Sequence, residues 1–153
     1  MIEKVISGGQ TGVGRAALDV AMEFCIPCGG WCPHGRSAED GPIDSRYPLA
    51  ETGSADSTER RERNILEADG TLIITIGKPT EGKARTIELA RRHKRPYWVV
   101  DLEKAETRAA VTEWIEYNNI RALNVAGPRE SKRPGIYDRT THFLREIFQY
   151  IYF

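Results

Sequence analysis

The chain lacks a surplus of charge of either sign: across 153 residues, 22 Lys and Arg balance 22 Asp and Glu. A chain without excess positive charge is not built to coat a nucleic-acid backbone, although charge can still cluster locally. Long apolar runs are also missing. The longest, Thr71 to Ile76 and Tyr97 to Val100, fall far short of the ~20 residues that span a bilayer, so no membrane segment is expected. The start, Met1-Ile2-Glu3-Lys4-Val5-Ile6, has no basic region followed by an apolar block and a cleavage site, and the chain is read as cytoplasmic. Cysteine is scarce, with three residues, an odd number that suits a reducing compartment better than a disulfide framework. Cys25, Cys28 and Cys32 lie close together, but His34 and His93 stand alone and no second Cys/His pair completes a zinc set. No zinc or other metal site is expected, and the cysteines read as small buried hydrophobes.

The length suits one domain, residues 1–153, and chains of this size bury about 68–70% of their unfolded surface. Short apolar runs alternate with helical patterns. The strand candidates are Lys4 to Ser7, Gly29 to Cys32, Thr71 to Ile76, Tyr97 to Leu102 and Ala122 to Ala126. The continuous runs Leu72-Ile73-Ile74 and Tyr97-Trp98-Val99-Val100 suit strands covered on both faces. Helical composition marks Arg15 to Phe24, Ser57 to Ala68, Thr86 to His93, Ala105 to Asn118 and Pro134 to Ile151. In the last of these, Leu144, Ile147, Phe148 and Ile151 recur at helical spacing and form a core-facing stripe. The alternation predicts an α/β fold: a Rossmann-like, doubly wound, mainly parallel sheet of five or more strands, with its ligand at the carboxyl ends of the strands. His34 to Ser54, rich in Gly, Pro, Ser and acidic residues, shows neither periodicity and reads as a long functional loop.

Three strand-to-helix loops carry the chemistry. The first is Ser7-Gly8-Gly9-Gln10-Thr11-Gly12-Val13-Gly14-Arg15. Its glycines let the backbone turn tightly and approach a ligand, while the helix start offers unpaired N–H groups to an anion. The stretch overlaps a P-loop, but Arg15 replaces the lysine and Ala16 the hydroxyl residue that would hold magnesium. Nucleotide triphosphate hydrolysis is therefore disfavoured, and the dinucleotide fingerprint spacing is missed as well. The second loop, Gly77 to Glu88, offers Thr80 and Thr86 as hydroxyl donors, Gly82 for close approach, and Lys83 or Arg85 as countercharge. The third, Asn124 to Gly135, adds Gly127, Arg129 and Ser131. Trp31 is placed to stack on a planar ring and Asp40 to accept a hydrogen bond from it. Plainer readings stand beside these: a simple turn for the first loop, a helix cap for the second. Arg91-Arg92-His93-Lys94-Arg95 closes a helix, where cations favour the negative dipole end, and does not argue for nucleic acid.

Taken in order, Ile6-Ser7-Gly8-Gly9-Gln10-Thr11-Gly12, Pro27-Cys28-Gly29-Gly30-Trp31-Cys32-Pro33, Ala38-Glu39-Asp40-Gly41, Thr86-Ile87-Glu88-Leu89-Ala90 and Asn124-Val125-Ala126-Gly127-Pro128-Arg129 resemble the putative molybdenum carrier family. The resemblance covers nearly the whole chain. It implies a molybdenum cofactor carrier-like protein within the SLOG superfamily of Rossmann-like nucleotide-ligand binders, which also contains the Lonely Guy phosphoribohydrolases. Those hydrolases share P-G-G-x-G-T-x-x-E; here Gly82-Lys83 takes the Gly-Thr place and Thr86 the acidic place. Glu88 lies two residues on, rotated by roughly 200° around a helix. The resemblance thus implies a binding protein rather than an enzyme, with molybdenum cofactor (molybdopterin) or a nucleotide as ligand. Its expected contacts are Gly8, Gly9, Gln10, Thr11, Gly12, Arg15, Trp31, Asp40, Thr80, Gly82, Thr86, Gly127 and Arg129. The alternatives are a nucleotide hydrolase using Glu88 or Asp40, and a ligand sensor. The apolar end Tyr150-Ile151-Tyr152-Phe153 adds the expectation of a homodimer or higher homo-oligomer.

Overall fold

The structure, a computed structural model, describes residues 1–78, 80–104 and 107–153, and the side chain of Thr107 is outside this set. Pro79 of the second loop and Ala105, the expected start of the fourth helix, therefore lie outside the described residues. The elements are β1 (Lys4–Ile6), α1 (Val13–Glu23), β2 (Cys28–Gly29), β3 (Trp31–Cys32), β4 (Ala50–Glu51), α2 (Ser57–Glu67), β5 (Gly70–Thr75), α3 (Glu81–Arg92), β6 (Tyr97–Asp101), α4 (Thr107–Tyr117), β7 (Ala122–Ala126) and α5 (Ile136–Tyr152). The main sheet runs β2-β1-β7-β5-β6, every neighbouring pair parallel. Its centre is buried on both faces: every residue of β5 is buried, as its unbroken apolar run foretold.

One face of the sheet is covered by α1, α5 and α4, the other by α2 and α3. Val13, Ala17 and Val20 of α1 meet Leu144, Ile147 and Phe148 of α5 in the larger core. The smaller core between α2 and α3 consists of Ile65, Leu89 and Ala90. This asymmetry leaves room between α2, α3 and the sheet.

Three expectations about secondary structure change. Gly29 to Cys32 is not one strand. Gly30, at φ +135°, turns the chain so closely against β1 that a Cβ would lie 2.9 Å from the Ser7 nitrogen, which splits the run into β2 in the main sheet and β3 paired with β4. The segment His34 to Ser54 is also more than a loop. It contains a 3-10 turn, His34–Arg36, and ends in β4. Arg36 donates to the carbonyls of Ile43, Asp44, Tyr47 and Leu49, and Ile43 and Tyr47 are buried with Leu18 and Cys32 in a core of their own. A single side chain binding successive carbonyls replaces the periodic hydrogen bonding whose absence hid this structure from pattern reading. The third helix begins at Glu81, a turn before expectation, because Thr80 caps it by accepting from the Lys83 N–H at 3.3 Å.

Candidate functional site

At the carboxyl ends of β1, β5 and β7 a cleft of about 760 Å³ opens between the three loops, the start of α3 and the side of α2. It occupies the crevice where doubly wound sheets bind ligands. The loops are tied to one another. Thr11 donates to Glu39, and the same carboxylate accepts from the Ser131 hydroxyl and, at 3.1 Å, from the Ser131 N–H. Arg133 donates to the carbonyls of Ile76 at 3.1 Å and Lys78 at 2.7 Å, joining the third loop to the second. Gln10 donates to the Ser37 carbonyl at 3.0 Å.

The expected contacts divide into two groups. Gly8, Gln10, Thr80, Gly82, Thr86, Gly127 and Arg129 line the cleft. Gly9, Thr11, Gly12, Arg15, Trp31 and Asp40 are not among its lining residues. The Gly9 N–H is spent on Ser7 Oγ at 3.1 Å, and Gly12 abuts the Pro128 carbonyl and the backbone of Glu130. The cradle is accordingly narrower than the whole Gly8–Gly12 stretch. Arg15 forms a bidentate pair with Asp40 at 2.9 and 3.2 Å and donates to the Gly9 carbonyl, so both are taken up in holding the long segment against the first loop. This pairing holds the Asp40 carboxyl below its ordinary range. Hydrogen bonds from Ser131 and Thr11 do the same for Glu39. Trp31 donates to Glu67 at 2.8 Å, and the Arg63 guanidinium covers its ring at 4.5 Å, so stacking on a ligand in the cleft is not its role in this arrangement. The Thr86 hydroxyl donates to the Gly82 carbonyl of its own helix at 2.8 Å, which uses the proton it was expected to offer an anion. Glu88 pairs with Arg92 at 3.1 Å on the outer side of α3, and neither it nor Asp40 lines the cleft.

Sequence reading passed over the strongest feature of the site, Arg60 and Arg61 on α2. Six basic side chains line the cleft, Arg60, Arg61, Lys83, Arg85, Arg129 and Lys132, against the acidic Glu39 and Glu81. Five arginines elsewhere pair with carboxylates: Arg15 with Asp40, Arg46 with Asp19, Arg63 with Glu59, Arg92 with Glu88 and Arg145 with Glu23. Among the described residues, of the six in the cleft only Arg129 has an ion pair, a loose one to Glu39 at 3.8 Å. Burial and then repulsion from Arg61 push the Arg60 guanidinium down to about 10, and its buried Nε has no hydrogen-bond partner. Arg61 is lowered by burial and then by Arg85, with Asp56 opposing. A neutral chain has thus concentrated unpaired positive charge in one concavity, which raises the local concentration of anions. One signal was present in the sequence: Arg60, Arg61, Lys83 and Arg85 fall within the first two turns of α2 and α3, where the helix dipole disfavours cations. Such local conflicts mark functional positions.

Comparison with known proteins bears on the same surface. The profile of the "Circularly permutated YpsA SLOG family" matches residues 5–148. The chain belongs to this family. It is also similar to a solved structure named "Putative molybdenum carrier protein" from Syntrophus aciditrophicus SB, with 45% identity, a TM-score of 0.90, and coverage of 96% of this chain and 94% of that one. Among curated proteins, none matches the sequence significantly. No helix of this SLOG-family chain, among the described residues, is long and apolar enough to cross a membrane.

Proposed function

We propose that this SLOG-family protein is a carrier that holds an anionic, phosphate-bearing ligand in the cleft, with molybdenum cofactor as the first candidate and a nucleotide as the second. The observation that carries the reading is the set of unpaired cations, with Arg60 the most buried of them, around a concavity at the strand ends. A phosphate in the cleft would give Arg60, which lines it, the anionic partner that no carboxylate among the described residues supplies. The starts of α2 and α3, capped by Asp56 and Thr80, add the positive ends of two helix dipoles. The name of the 45% identical structure supports molybdenum as part of the cargo.

The test is native mass spectrometry with elemental analysis on protein purified from cells able to make molybdenum cofactor. A stoichiometric pterin phosphate with molybdenum is the expected result. A nucleotide without molybdenum would replace the first candidate by the second. Protein free of any anionic ligand, and unresponsive to added phosphate compounds, would refute the reading.

A further inference from the structure

The two adjacent arginines of α2 do not converge on one point. The Arg60 guanidinium lies over Gly8 at the end of β1, where a Cβ would fall 3.3 Å from its Cζ. Arg61 reaches the other way, and a Cβ on Gly82, in the first turn of α3, would lie 3.6 Å from its Nη2. Each guanidinium thus faces a glycine belonging to a different loop, and both line the same cleft. Among the described residues no carboxylate forms an ion pair with either. Arg60 packed over Gly8 and Arg61 next to Gly82 place two unpaired cations at two separate points of one cleft wall.

We infer that the cleft contains two anion subsites, one at Arg60 and Gly8 and one at Arg61 and Gly82, and that it selects ligands with two neighbouring anionic groups, as a diphosphate has, over those with one. This rests on the reading of the cleft as an anionic-ligand site and makes it more specific. Each guanidinium offers a planar fork of donors to one anionic group. Gly8, lacking a Cβ, leaves the Arg60 guanidinium room to pack against the end of β1, and Gly82 leaves space beside Arg61. Once one group is bound, the second is tethered next to its own cation at high effective concentration, so it adds more affinity than an isolated anion would.

Titration calorimetry of the full chain with inorganic diphosphate and orthophosphate, at one fixed ionic strength, tests this. The wild type is expected to prefer diphosphate by at least about thirtyfold. In Arg60→Met and in Arg61→Met that ratio is expected to fall below about threefold, because each keeps a single position. Gly82→Asp, which sets a carboxylate beside Arg61 without touching Arg60, is expected to act like Arg61→Met and guards against a variant that is merely misfolded. A ratio that stays unchanged in either arginine variant, with both anions weakened equally, would overturn the two-subsite inference and leave the anionic-ligand reading standing. Absence of binding of both anions to the wild type at tens of millimolar would overturn both.

Discussion

Replacing Arg60 by Met is expected to make the protein more stable and a worse binder. The cation sits largely out of water, its Nε has no partner, and it is lowered from the ordinary arginine range to about 10. At 1.36 kcal/mol per pKa unit this difference corresponds to about 3 kcal/mol of unfavourable free energy in the folded state. Because the folded value is depressed for a base, the cost is present in full below about pH 10 and fades only as pH rises from there toward the ordinary arginine range. Part of the guanidinium borders the open cleft, so screening reduces the realised gain to roughly 1–3 kcal/mol. Met keeps the unbranched stem and removes the charge. For a chain of this size each kcal/mol moves Tm by roughly 2–4 °C, which sets the expected rise at about 2–12 °C at pH 7 in a calorimetric scan. The second half of the assay adds diphosphate at ten times its wild-type Kd. Binding at that level stabilises the wild type by RT ln 11, about 1.4 kcal/mol, whereas a tenfold weaker variant gains RT ln 2, about 0.4 kcal/mol. A variant that melts below the wild type, or that keeps the whole diphosphate-induced rise, would refute the argument that Arg60 is strained in order to bind.

Other expectations are simpler to check. Gly8→Ala places a methyl group against the Arg60 guanidinium; the flexible end of the side chain can move, so circular dichroism should show an intact fold while phosphate affinity drops about tenfold or more, and unchanged affinity would separate Gly8 from the site. Because Glu39 and Asp40 titrate below their ordinary values, their contacts stabilise the fold above the usual carboxylate range and are lost as pH falls through the depressed folded values. Hydrogen exchange between pH 5 and 3 should therefore show residues 36–44 losing protection before β5 does, and Arg15→Met should remove the lag between neutral pH and this loss; simultaneous release of both segments would contradict it. The expected homodimer rests on Tyr150, 61% exposed, and Phe153, 92% exposed. Light scattering at tens of micromolar should give the mass of two chains, reduced to one by Tyr150→Glu with Phe153→Glu, and a monomeric wild type would remove the proposal.

The order of elements and the place of the three loops were legible in the chain because they depend on local rules. An unbroken apolar run such as Thr71 to Ile76 has to be covered on both faces, and a glycine-rich turn between strand and helix has to lie at the sheet's carboxyl edge. Leu144, Ile147 and Phe148 disclosed their core face by spacing alone, and α5 buries all three. Which polar residues meet was decided only by the tertiary structure. Arg15 and Asp40, 25 positions apart, looked like two ligand contacts but bind each other, since opposite charges brought together by the fold satisfy one another before they satisfy a ligand. Trp31 turned to Arg63 and Glu67 because Gly30 redirected its strand. Arg60 and Arg61 lie in Ser57 to Ala68, a segment whose composition disclosed a helix and nothing of what its side chains would meet. The sheet carries α2 to the cleft, where burial removes their water and, among the described residues, no carboxylate forms an ion pair with them.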